Sequence, residues 1–120
     1  MKYTPVEVEE EEVDEQEIFT IVEEMPEYPG GIAAAMKWIA NELRYPPIAQ
    51  ENGVQGRVTV RFTINADGSV VDPVVIRGVD PHLDKEALRV IGKMPKWKPG
   101  KQRGKAVRVS YNLPVRFKLN

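Results

Sequence analysis

Residues 56–78 read GRVTVRFTINADGSVVDPVVIRG, and this stretch decides the fold. Val58, Val60, Phe62 and Ile64 alternate with Arg57, Thr59, Arg61 and Thr63. That period of two belongs to a strand with one buried face and one wet face. Asn65-Ala66-Asp67-Gly68 is a turn-forming cluster with a glycine where a left-handed residue closes an antiparallel hairpin. A second strand then runs through Val70, Val74, Val75 and Ile76, and its alternation breaks at Asp72-Pro73. Proline cannot donate to a ladder, so this strand is expected at an edge or bulged at that point. The first strand carries no proline and is free to lie in the centre.

Working outward, the next element upstream is a helix over Ile32 to Leu43, with Ile32, Met36, Ile39 and Leu43 on one stripe. Trp38 lies off that stripe and is expected to cover the tail segment, with facing a partner as the alternative. Tyr45-Pro46-Pro47 stops the helix, because a residue preceding proline is driven out of the helical region. A short helical turn from Pro47 to Asn52 then ends at Gly53. Downstream of the hairpin, Asp80-Pro81 offers a cap and a first helical position. Leu83, Ala87, Val90, Ile91 and Met94 form the stripe of a second helix, which Pro95 ends. In the last strand Val107, Val109, Tyr111, Leu113, Val115, Phe117 and Leu119 alternate with Arg108, Ser110, Asn112, Pro114, Arg116 and Lys118. Pro114 again argues for an edge.

The expected architecture is a two-layer α+β domain. Its three-stranded antiparallel sheet takes the order second, first, third, and two helices cover one face. Phe62, Val60, Leu113, Met36, Ile39, Leu83, Ala87 and Val90 are the expected core. At 120 residues the chain suffices for one such domain.

Charge divides the chain. Residues 1–27 hold eleven acids against Lys2, a net of -10, whereas residues 28–120 hold seven acids and sixteen bases, a net of +9. Residues 1–17 have too few apolar side chains to bury and are expected to be a disordered acidic linker. Ile18 to Val22 is short, apolar and β-branched, so residues 18–27 are expected to dock on the domain or lead into it. Docking on a neighbouring copy, and with it a homodimer, is an open alternative.

Catalytic and metal-binding constellations are scarce. There is no cysteine, and His82 is the only histidine, placed at a helix start where a solvated side chain is the ordinary reading. Asn65-Ala66-Asp67-Gly68 lacks the alternating oxygen donors and the later Glu of a calcium loop. Gly100-Lys101-Gln102-Arg103-Gly104-Lys105 is one residue short of a phosphate-binding loop and runs into a strand. No enzyme activity, cofactor or metal is expected. Lys93, Lys96, Lys98, Lys101, Arg103 and Lys105 surround Trp97, a pattern that can bind single-stranded nucleic acid. With one aromatic available for stacking, a solvated loop anchored by Trp97 is favoured and no nucleic-acid partner is expected. No apolar run is long enough to span a membrane.

Tyr45-Pro46, Gly53-Val54-Gln55-Gly56-Arg57-Val58, Phe62-Thr63-Ile64, Asp67-Gly68, Leu83-Asp84-Lys85-Glu86-Ala87, Met94-Pro95-Lys96-Trp97-Lys98-Pro99-Gly100 and Val107 to Leu119 together resemble the C-terminal domain of the TonB family. The match covers about residues 28–119, taken as the domain proper within 18–120. Met25-Pro26-Glu27-Tyr28-Pro29-Gly30-Gly31 is similar to the lead-in of a subgroup from glycan-importing Gram-negative bacteria. The resemblance implies a periplasmic domain, anchored to the inner membrane in the full-length protein, that links a proton-driven inner-membrane motor to outer-membrane transporters. It implies capture of the transporter's TonB box, which adds as a strand beside the last strand of the domain. Carried over, the implied contacts are Tyr45, Pro46, Lys105, Val107, Arg108, Val109, Ser110, Tyr111, Asn112 and Leu113. The family's best-known form has Gln-Pro before the Tyr-Pro; here Leu43-Arg44 stand there. The same domain also occurs as a regulatory or scaffolding module of membrane sensors and peptidases. A basic nucleic-acid or cell-wall binder is the remaining alternative.

Overall fold

The computed structural model describes residues 16–120; all but the last two residues of the expected acidic linker lie outside that range. The elements in order are β1 (Ile18–Phe19), α1 (Ile32–Glu42), α2 (Pro47–Glu51), β2 (Gly56–Ile64), β3 (Val70–Arg77), α3 (Pro81–Gly92), β4 (Gly100–Gln102) and β5 (Lys105–Phe117). The α+β class holds. The expectation of three antiparallel strands is corrected: among the described residues there are five strands in a mixed sheet, and the three helices are the two expected long ones with the expected short turn between them as α2.

β2 is the strand around which the rest assembles. It pairs antiparallel with β3 on one side and with β5 on the other, from Gly56↔Phe117 to Ile64↔Val109. The path through the sheet is β1-β5-β2-β3, with β4 pairing to the start of β5. β1 runs parallel to β5 through Ile18↔Arg108 and Phe19↔Val109, while β4 pairs antiparallel through Gly100↔Val107, Lys101↔Ala106 and Gln102↔Lys105. Neither extra strand has the alternation that marks β2. β1 is two residues long, and β4 depends on a turn in which Arg103 and Gly104 both take positive φ.

Register shifts interrupt the β2–β3 ladder twice, and Asp72 has φ 52°. The stumble at Asp72-Pro73 is thus a bulge, as a proline in a ladder requires. At the β2–β3 turn, Gly68 has φ 89° and packs against the loop after α3. A Cβ there would lie 2.0 Å from the carbonyl oxygen of Trp97, so glycine alone permits the approach.

The core lies between the sheet and the helices. Val58, Val60, Phe62, Ile64, Leu83, Ala87, Val90, Leu113, Val115 and Phe117 are buried there with Ile39, and Met36 is half-buried against them. Trp38 packs half-buried on this same core. Asp80 caps α3, its carboxylate accepting from the backbone N–H of His82 at 2.9 Å and of Leu83 at 3.3 Å. Val22, Val107 and Val109 form a second small cluster with Phe19 beside it.

Candidate functional site

Partners of its own chain pair with the start of β5. Lys105, Ala106 and Val107 pair with β4, and Arg108 and Val109 pair with β1, which lies on the side away from β2. Val107 and Val109 are buried. From Ser110 to Phe117, among the described residues, no strand pairs with β5 except β2. The open segment is eight residues long, an edge of about 26 Å.

The polarity of this edge follows from Pro114. It stands opposite Thr59 in a β2 pairing that continues to Phe117, and proline is tolerated where its missing donor faces away from the ladder. Backbone groups along a strand alternate in direction with a period of two. Ser110 and Asn112 therefore aim their N–H and C=O groups at the free edge.

Two grooves flank the edge. The first, of about 610 Å³, is lined by Thr20, Met25 and Ile32 on one side and by Arg61 and Ser110 to Leu113 on the other. It straddles the strand, because Tyr111 and Leu113 belong to the core face while Arg61, Ser110 and Asn112 belong to the wet face. Met25 and Ile32 are large apolar side chains left 45% and 50% exposed. The second groove, of about 460 Å³, lies between Met36, Ile39, Ala40, Leu43 and Tyr45 and the end of β5 at Arg116 to Lys118.

Tyr45 is held at this second groove. Its ring meets Phe117 edge-on at 5.6 Å and 89°, and its hydroxyl donates to the Val54 carbonyl. The chain before it is held from α3: Glu86 Oε2 accepts from the Arg44 N–H at 2.7 Å, and Arg89 Nη2 donates to the Glu42 carbonyl at 3.2 Å. Arg89 Nε also donates to Glu86 Oε1 at 2.6 Å. Burial pushes the Glu86 carboxyl up, but the Arg89 guanidinium and the Arg44 N–H outweigh it, so its pKa lies below the ordinary value. Pro46 stands as the residue before α2, with extended backbone, and completes the corner.

The ten residues expected at the site are thus divided by the structure. Ser110 to Leu113 line the free edge, Arg108 and Val109 meet β1, and Lys105 and Val107 meet β4. Tyr45 and Pro46 stand at the Phe117 end, about 13 Å along the strand from Leu113. Met25, Ile32, Met36 and Leu43 were not among the expected site residues. They read as core or linker, and only the separation between α1 and β5 makes them groove walls.

Elsewhere the side chains offer little reactive chemistry. Among the described residues no group of three His, Asp or Glu is placed to hold a metal ion. His82 Nδ1 lies 3.3 Å from Asp80 at an exposed helix start. Trp97 is 3% exposed, within an aromatic cluster with Tyr28, Phe62 and Tyr111, so its ring is not available for stacking on a base.

Fold and edge together define a small α+β domain with an open strand end beside an apolar groove. Residues 41–119 match the family model for the Gram-negative bacterial TonB protein C-terminal, and the chain belongs to that family. It is 54% identical over 39 residues to protein TonB of Helicobacter pylori, which is 32% of this chain and 14% of that protein. It is 40% identical over 55 residues to protein TonB of Pseudomonas aeruginosa, 45% of this chain and 15% of that protein. The chain therefore matches about one seventh of the length of these relatives. The solution structure of the Helicobacter pylori TonB C-terminal domain superposes with a TM-score of 0.57 at 32% identity, covering 72% of this chain and 91% of that one.

Proposed function

We propose that this domain captures an extended segment of an outer-membrane transporter by adding it as a strand to β5, so linking the transporter to an inner-membrane, proton-driven motor from the periplasm. The observation that carries this reading is the outer side of Ser110 to Phe117, unpaired among the described residues and lying between two grooves. Backbone hydrogen bonds from an added strand give grip with little demand on sequence, and pockets for alternate side chains choose the partner. Here one set of alternate side chains would enter toward Met25, Ile32 and Met36, and the other would face Arg61 and Arg116. An energy transducer must hold under force and then release, which strand addition permits without any covalent step.

Arg61, Arg116 and Lys118 also make the edge cationic, and none is ion-paired among the described residues. They favour an acidic segment and discourage edge-to-edge aggregation. The test is an amide-shift titration with the N-terminal peptide of a candidate transporter. Expected perturbations centre on Ser110 to Phe117 and include Tyr45. Shifts confined to Lys93–Lys105, with β5 silent, would overturn the reading.

A further inference from the structure

We propose that the face of the sheet turned away from the helices, centred on Arg57, Arg77, Arg116 and Lys118, docks on an anionic phospholipid membrane. The inference does not rest on strand capture at β5, which concerns the edge of the same sheet.

Register is the first observation. Arg57, Thr59 and Arg61 alternate with the buried Val58 and Val60, which puts them on the face opposite the core. Arg57 stands directly opposite Arg116, and Thr59 stands opposite both Arg77 and Pro114. Directly opposed residues share a face, with Cβ atoms about 4.5 to 5.5 Å apart. Three guanidinium groups are therefore gathered around Thr59. Lys118, two residues beyond Arg116, joins them in lining a groove of about 720 Å³.

Charge is the second. Like charges directly opposite each other destabilise a sheet, yet the Arg57–Arg116 pair has no counter-charge within the fold. Among the described residues none of Arg57, Arg77, Arg116 and Lys118 is ion-paired, and all four are exposed. Arg108, nearer the start of β5, shows the contrast. Its Nε donates to Asn65 Oδ1 at 2.9 Å, its Nη1 donates to the Gln16 carbonyl at 3.3 Å, and its Nη2 lies 3.9 Å from Asp72 Oδ2. An anion from outside the chain would relieve the repulsion around Thr59, and guanidinium groups suit phosphate because their fork matches its oxygens.

The third is what else the face carries. Val74 stands opposite Arg61 and Ile76 is out of phase with the half-buried Val75; they are 47% and 45% exposed. Phe62, Tyr111 and Phe117, the aromatic residues of β2, β3 and β5, all pack toward the core, so this face offers no ring for stacking on a base. Aliphatic side chains among arginines instead match a layer of anionic headgroups above acyl chains. Docked in this way, the sheet lies along the membrane and the edge of β5 stays open at its side.

The experiment measures co-sedimentation of the full chain with vesicles of phosphatidylglycerol and phosphatidylcholine in equal parts, and of phosphatidylcholine alone. The net charge of the chain is -1, so attraction to anionic vesicles reports a local face and not the total. Binding should require phosphatidylglycerol and be lost at about 0.5 M salt. R57Q combined with R77Q should weaken it by about tenfold to thirtyfold, whereas K93Q combined with K98Q, the same change in net charge elsewhere, should weaken it less than about threefold. Equal losses in the two pairs, or no binding by the parent chain, would overturn the inference. V74T combined with I76T should weaken binding by about fivefold, and no change would overturn a lipid occupant. So would tighter binding to a DNA duplex than to the vesicles, or displacement by inorganic phosphate beyond that by chloride at equal ionic strength. R57Q with R77Q should leave binding of a transporter peptide unchanged. Asn112→Pro should leave vesicle binding unchanged, so either reading can fail while the other stands.

Discussion

Phe62 is 1% exposed, with Trp97 at 5.8 Å and Tyr111 at 6.0 Å between ring centres. Phe62→Ala removes a ring that three elements share, and should cost about 3 to 5 kcal/mol in urea denaturation. For a domain of this size that is a large part of the total stability. Glu86 is the second informative residue, because it anchors the chain entering Tyr45-Pro46. Its pKa is depressed in the folded state, so its contribution is complete above the unfolded-state value of about 4.3 and is lost as pH falls through the lower folded value. Glu86→Gln should destabilise by about 1 to 2 kcal/mol at pH 7, the lower part of the range for hydrogen bonds to a charged group since Arg89 is partly solvated. The difference from the parent chain should narrow in denaturation midpoints as pH falls below the unfolded-state value. A gap that does not change with pH across the acid range would mean the side chain acts through packing.

β5 is the element on which fold and function meet, since its two sides serve different ends. With the free-edge donors assigned to Ser110 and Asn112, Asn112→Pro should leave the thermal midpoint within a few degrees of the parent value, as Pro114 already shows for that side of the strand. The same variant should abolish strand addition in the amide-shift titration, having lost a backbone donor. Val109→Pro should instead unfold the domain, because that residue is fully buried and its N–H faces β2. If Asn112→Pro unfolds the chain and Val109→Pro does not, the polarity of the edge is reversed. Both β2 and β5 were legible because each alternates over many residues with one face buried. β1 and β4 were not, since two or three residues carry no period and their pairing is imposed by the hairpin and by Arg108.

At the scale of the whole molecule, the separation of charge between the first 27 residues and the rest sets the behaviour in salt. An acidic extended peptide should bind β5 more weakly at 0.5 M than at 0.05 M salt, and neutralising Arg61 and Arg116 together should flatten that dependence. Isothermal titration at the two salt levels checks it, and an unchanged slope in the double variant would place the attraction elsewhere. From sequence by itself came the helices, the central hairpin, the buried face of β2 and β5 and the family, because periodicity, proline placement and caps are local and each agrees with the others. Tertiary structure alone decided which part of β5 is free. An edge is defined by what does not pair with it, and the strand that covers Arg108 and Val109 comes from a segment 90 residues away, beyond the reach of any local pattern. The same holds for the groove walls: Met25, Ile32, Met36 and Leu43 are apolar in any reading, and only the placement of α1 beside β5 leaves them facing a strand that is not yet there.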